Sequence, residues 1–233
     1  MIGLSPGIVK GVSDRGVKKS CIAMVLHGCN LNLFAEAWRP ERVSEHQLLA
    51  VFTGTHGPAN GLDAVLDAAA VLKEVGRDDI SIALVGQGRE KSALQARARA
   101  QSLDNVVFVD PVPKRQLVGL MAGAVIGLQV LRNVPAFYFG TSPNKFFDYI
   151  SAGLPVLHNY PGWIADLVSV NDAGYFVPPD NPTEFAKALI AAADNFNCVK
   201  HKGLNAYWLA ETQFSRRKPS EIWVSWVTET VQP

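Results

Sequence analysis

From Leu48 onward the chain alternates short apolar runs with segments of helical period, and this alternation constrains the fold more than any other feature. The runs Leu48 to Thr53, Ser81 to Val85, Val106 to Val109, Ala124 to Val130, Pro155 to His158 and Tyr175 to Val177 read as strands. Between the first two, Leu62, Val65, Leu66, Ala69 and Leu72 trace an apolar stripe at three- and four-residue spacing, and Phe185, Leu189, Ala192 and Phe196 do the same near the other end. Strands alternating with such helices predict an α/β fold. Right-handed crossovers wind it into a Rossmann-like doubly wound parallel sheet with flanking helices, whose ligand site lies outside the carboxyl ends of the strands.

The remaining composition narrows the class. The chain has 233 residues, 48% of them hydrophobic and 18% charged, enough for a sizeable core and typical of a globular protein. Its 22 basic and 21 acidic residues leave a net charge of +1, so no global field favours nucleic acid or anionic lipid, and any anion site has to be local. Cys21, Cys29 and Cys198 form no CxxC pair, and His27, His46, His56, His158 and His201 have no metal-ligand spacing. No metal or other cofactor is therefore expected. The first residues do not read as a charged-then-apolar signal peptide, and no apolar run reaches the about 18 residues of a membrane span, so a cytoplasmic protein is expected, with room for peripheral contact at the inner face of a membrane.

Both ends depart from the repeat. Residues 1–42 carry one apolar run, Cys21 to Leu26, and are expected to be a connector. Residues 43–200 form the sheet domain, and residues 201–233 a helical C-terminal extension rich in aromatics (Tyr207, Trp208, Phe214, Trp223, Trp226) that has to pack on something.

Three loops can hold a ligand. The segment Thr141-Ser142-Pro143-Asn144-Lys145 feeds a helix that stops at Gly153-Leu154-Pro155, with Ser142 expected to cap it and Pro143 at its first position. The unpaired N–H groups and the dipole of a helix start attract anions, and Lys145 adds a cation suited to phosphate. Asp148, one turn further along, could accept hydrogen bonds from ribose hydroxyls. Directly after the first strand, Gly54-Thr55-His56-Gly57 can present N–H groups to a phosphate, with His56 a further donor. After the second, Gly86-Gln87-Gly88 lets a base or ribose lie against the backbone. Neither turn has the GxGxxG or Gly-Lys-Ser/Thr pattern, and no nucleophile elbow is present. Together the loops suggest a nucleoside diphosphate carrying another group.

These motifs resemble the donor-binding half of a family-4 glycosyltransferase of the GT-B fold. Ser5-Pro6-Gly7 and Leu26 to Phe34 resemble its interdomain hinge, with His27, Cys29 and Asn30 departing from the usual run. Phe52-Thr53-Gly54 with Gly61 is similar to its phosphate loop, although Thr55 and Asn60 stand where Arg and Lys are usual. Asn105 to Val109 with Pro113 and Leu117 resemble its base-side strand and loop. Pro143-Asn144-Lys145-Phe146-Phe147-Asp148 resembles a Pro-Ser-Lys-x-x-Glu pattern of bacterial enzymes of surface-polysaccharide assembly. In the wider Glu-x7-Glu motif Asp148 takes the ribose-binding place, while Gly140 replaces the first acid.

The resemblance implies sugar transfer with retention, without bound metal, from a nucleotide-diphosphate sugar to a glycan or lipid-linked acceptor. Lys145 and Asp148 would be the catalytic pair, and Gly54, Thr55, His56, Gly57, Gly86, Gln87, Thr141, Ser142 and Asn144 the rest of the donor site. It also implies a missing N-terminal acceptor domain, toward which residues 201–233 would pack. The alternatives are a nucleotide-sugar epimerase of GT-B fold and a non-catalytic nucleotide-sugar-binding module; a nicotinamide-dependent oxidoreductase is disfavoured by its glycine spacing.

Overall fold

The computed structural model describes residues 1–37 and 47–231. The expected boundary between residues 42 and 43, and His46, lie outside the described residues. In chain order the elements are β1 (Ile2–Gly3), α1 (Pro6–Asp14), β2 (Ala23–Met24), α2 (Leu31–Phe34), β3 (Leu48–Thr53), α3 (Asp63–Glu74), β4 (Ile80–Val85), α4 (Lys91–Ala100), β5 (Val106–Val109) and α5 (Lys114–Gly123). They continue with β6 (Ile126–Gln129), α6 (Pro135–Gly140), α7 (Asn144–Ser151), β7 (Val156–His158), α8 (Trp163–Val170), β8 (Gly174–Phe176), α9 (Pro182–Asp194), α10 (Phe196–Phe214) and α11 (Arg217–Val231).

Six strands form one parallel sheet in the order β5-β4-β3-β6-β7-β8. Successive side chains of a strand point to opposite faces, and β3 divides accordingly. Leu48, Ala50 and Phe52 join Leu66, Leu72 and Leu189 of α3 and α9 in one core layer. Val51 joins Met121, Phe146, Phe147 and Ile150 of α5 and α7 in the other. Burying a large aliphatic or aromatic side chain contributes about 1.5–3 kcal/mol, so both stripes commit their helices to the sheet. The strand order reverses between β3 and β6, and a crevice at such a switch point opens outside the carboxyl ends of the strands.

Residues 1–37 hold more structure than a connector. β1 and β2 pair in parallel, Ile2 beside Ala23 and Gly3 beside Met24, with α1 between them. Ser5 caps α1 by accepting from the Ile8 N–H at 3.1 Å and donates to the Gly140 carbonyl at 3.1 Å. Gly7 lets α1 lie against α6, since a Cβ there would sit 2.0 Å from the Phe139 carbonyl oxygen. Two-residue strands fall below what periodicity can resolve, and β2 shows in the sequence only because it lies within the longer apolar run Cys21 to Leu26.

Two further boundaries differ from expectation. Phe196 does not extend the α9 stripe: Asn195 intervenes and caps α10 by accepting from the Cys198 N–H at 3.0 Å. The boundary at residues 200 and 201 falls inside α10, whose Ala206, Leu209, Ala210 and Phe214 are buried in the same layer as α7. The Phe214 ring centre lies 5.4 Å from that of Phe147. Trp208, Ile222, Trp223 and Val224 remain exposed.

Candidate functional site

The two glycine turns are pressed together backbone to backbone. Gly54 N–H donates to the Val85 carbonyl at 2.9 Å, His56 N–H to the Gln87 carbonyl at 2.9 Å, and Glu90 N–H to the His56 carbonyl at 3.0 Å. Gly86 has φ +151° and a Cβ there would lie 1.8 Å from the Gly54 carbonyl oxygen. That glycine is therefore required by the fold itself. Gly54, Thr55 and Gln87 are exposed at the rim, whereas Gly57 and Gly86 are buried. Beside the paired turns runs a groove of about 310 Å³ whose walls are Thr53 to Thr55, Val85 to Gln87, and Pro111, Val112 and Leu117.

His56 does not reach that groove. It is completely buried beneath the loop, its ring centre 6.1 Å from each of Phe52 and Phe108. Burial, with the nearby Lys91 and Lys145 charges, pushes its pKa down to about 4, so the ring is neutral at neutral pH. The expected phosphate donor is thus part of the floor, because the apolar flanks of the loop fold over it.

Helix α7 carries the second half of the site. Its buried face, Phe146, Phe147, Tyr149 and Ile150, fixes its roll. The Tyr149 hydroxyl accepts from the Thr53 N–H at 2.9 Å and donates to the Leu128 carbonyl at 3.2 Å, tying the helix to the ends of β3 and β6. Pro143 occupies the N-cap position and Ser142 makes no capping bond, a correction to its expected role. The Oγ atoms of Thr141 and Ser142 are buried without a hydrogen-bond partner, and Asn144 is exposed on the first turn. With no side-chain cap, the N–H groups of Asn144 and Lys145 stay available to an anion, while that of Phe146 donates to the Pro143 carbonyl at 3.1 Å.

Lys145 and Asp148 turn to different partners. Lys145 Nζ donates to Asn60 Oδ1 at 2.7 Å and sits 4.1 Å from the centre of the Phe52 ring, beside Gly54. Burial pushes its pKa down to about 7. Asp148 instead pairs with Lys114 at 2.5 Å and lines a polar hollow of about 390 Å³ with His27, Asn30, Asn144 and Arg216. Burial raises the Asp148 pKa, opposed by Lys114. Lys114 and Arg216 carried no motif and went unread in the sequence; a basic residue at a helix start was the only available signal. Among the described residues no His, Cys, Asp and Glu side chains cluster as metal ligands, and no helix is long and apolar enough to cross a membrane.

This architecture has known counterparts. Sucrose-phosphate synthase from Thermosynechococcus elongatus superposes with a TM-score of 0.79 at 19% identity, over 98% of this chain and 57% of that one. HepE from Anabaena, solved with UDP-glucose, gives 0.78 at 17% identity over 96% and 63% of the two chains. WaaG, a glycosyltransferase involved in lipopolysaccharide biosynthesis, gives 0.74 at 20% identity over 94% and 60%. The present chain spans 57–63% of the length of these three structures. No curated protein matches it by sequence. The profile of the family described as "Glycosyl transferases group 1" matches residues 47–195, more than half of the chain. With that match, and with a six-stranded sheet and C-terminal helices arranged as in half of a GT-B fold, the chain belongs to the group 1 glycosyl transferases.

Proposed function

We propose that the chain is the donor-binding part of a retaining glycosyltransferase that moves a hexose-type sugar from a nucleoside diphosphate to a glycan or lipid-linked acceptor of surface-polysaccharide assembly. The observation that carries this reading is Lys145. It comes from α7, yet lies beside Gly54 of the other loop, held by Asn60. That arrangement supports a diphosphate between the two loops, with the base in the groove beside Gly86 and the ribose near Asp148.

In the transfer the bond between the anomeric carbon and the diphosphate oxygen breaks, its electron pair leaving with the nucleoside diphosphate. The acceptor hydroxyl oxygen bonds the same face, and its proton passes to the departing phosphate oxygen. The charge that grows on the diphosphate is what has to be stabilised. Lys145 and the N–H groups of α7 supply positive charge there without a metal or other cofactor. His56 is completely buried and does not line the groove, so it has no access to a sugar for proton exchange, which disfavours an epimerase.

Closure needs a second wall. We assign it to a separate N-terminal acceptor domain reached through residues 1–42, with residues 43–200 and the buried face of α10 forming the donor domain and the rest of residues 201–233 returning toward that partner. The support is apolar surface: Leu4, Val25 and Leu26 line an open groove with Trp223 and Val224, and Met1, Ile2 and Met24 are exposed nearby in sequence. We place the enzyme in the cytoplasm, with the acceptor domain meeting the membrane face.

Titration of the chain with UDP, GDP and dTDP, repeated with Lys145→Ala and Asp148→Asn, tests the proposal. Binding of one nucleotide weakened by both substitutions is expected. Binding untouched by either would place the ligand elsewhere, and full turnover by the chain alone would overturn the need for a second domain.

A further inference from the structure

Lys91 is a buried lysine, its side chain 8% exposed, at the first position of α4. Its ammonium donates to the Gly86 carbonyl at 2.9 Å, the Val109 carbonyl at 3.3 Å and Asp110 Oδ1 at 2.7 Å. An ammonium has three N–H donors, so the group is fully engaged. Burying a charge is costly unless it is paired and hydrogen-bonded. A lysine that serves only as the first residue of a helix would leave its head in water, as long basic side chains do.

The partners lie on two different walls of one groove. Gly86 belongs to the wall built by the paired glycine turns, and Val109 and Asp110 lead into Pro111 and Val112, which form the facing wall. The Gly86 N–H also donates to the Val109 carbonyl at 3.0 Å, so Lys91 closes a second link beside the last rung between β4 and β5. On the far side of Gly86 the Gly54 backbone blocks any retreat, as the 1.8 Å approach of a Cβ there shows. The near wall is therefore packed tightly against Gly54, and Lys91 adds to the backbone link a charged tie that reaches one residue further along the far wall, to Asp110.

We propose that Lys91 is a positioning residue that sets the width of the groove and, through it, the discrimination between pyrimidine and purine nucleotides. The inference rests on the groove being the base site of the proposed donor pocket. Without the ammonium the far wall keeps its backbone bond at Val109 but loses the anchor at Asp110, so that Pro111 and Val112 beyond it gain room to shift outward and a slot suited to one ring size accepts both. The exposed Asp110, on the outer side of the lysine, tunes the same spacing more weakly.

The test is the ratio of dissociation constants for UDP and GDP, measured by calorimetry on the wild-type chain and on Lys91→Met, Asp110→Asn and Lys73→Met. Lys73 ties the Gln101 and Ser102 carbonyls at the opposite end of the sheet and controls for loss of a lysine clamp in general. The wild-type ratio is expected to depart from one, to move toward one by about tenfold in Lys91→Met, as loss of a charged hydrogen bond implies, and to move part of the way in Asp110→Asn. Lys73→Met is expected to leave it unchanged. Because Asp110 is exposed, its variant keeps the fold and carries the test if Lys91→Met fails to fold. A ratio unchanged in both variants, with both nucleotides weakened alike, overturns the inference and leaves the donor site standing. A wild-type chain that binds neither nucleotide overturns the donor-site reading itself.

Discussion

The Tyr149 hydroxyl accepts the backbone N–H of Thr53 at 2.9 Å, joining the middle of α7 to the last residue of β3. That bond sets where the glycine turn begins relative to the helix that faces it. Gly54 follows Thr53 directly, and Lys145 lies one helical turn before Tyr149, so this hydrogen bond links both arms of the proposed diphosphate site. Tyr149→Phe keeps the ring that packs against Gly127 but leaves a buried N–H unpaired, at a cost of about 1–3 kcal/mol. Chemical denaturation is expected to show that loss, and calorimetry a weaker nucleotide complex.

Lys145 makes two quantities move oppositely with pH. Its pKa in the fold is about 7, against 10.5 for an ordinary lysine. Between these values the unfolded chain holds more protons, so this group makes stability rise with pH across that window. Diphosphate binding needs the charged form, present below about 7 and regained above it only by proton uptake. Affinity should therefore fall from pH 7 to pH 9. At pH 8 the binding enthalpy should vary with the ionisation enthalpy of the buffer, and Lys145→Met should abolish that variation.

Gly86 is constrained twice, by φ +151° and by the Gly54 carbonyl 1.8 Å from any added Cβ. Gly86→Ala has to push the two turns apart, and overpacking of this kind typically costs about 1–3 kcal/mol. A lowered melting temperature is expected together with loss of nucleotide binding. Unchanged binding would show that the paired turns do not form the groove used by the ligand.

Burial raises the Asp148 pKa, and the ion pair with Lys114 opposes that rise. Lys114→Met should raise it further. Nucleotide affinity in the variant is then expected to start declining at a higher pH than in the wild-type chain as the solution is acidified. Titration at descending pH decides it, and identical profiles would remove Asp148 from the ribose contact.

Much of the fold was readable because its signals are local. The stripe from Leu62 to Leu72 and the run Leu48 to Thr53 report which face of a helix or strand is buried within a few residues, and the structure places both as expected. β1 was too short to register, and Phe196 kept the α9 spacing although Asn195 starts a new helix. Within the site, the glycine turns were visible, but the burial of His56 was not, since it depends on Phe108 from another strand.

The sequence by itself determined the parallel α/β order, the crevice at the carboxyl ends of the strands, and the helix that presents Lys145 and Asp148. Each follows from periodicity or from helix-stop residues such as Gly153 and Pro155 within a short stretch of chain. Tertiary structure alone decided which groups those side chains meet. Asn60 lies 85 residues from Lys145, and Lys114 lies 34 from Asp148. Those meetings depend on the strand order and on how closely Gly54 and Gly86 approach, and such contacts between distant segments are set by packing of the whole sheet rather than by any local preference.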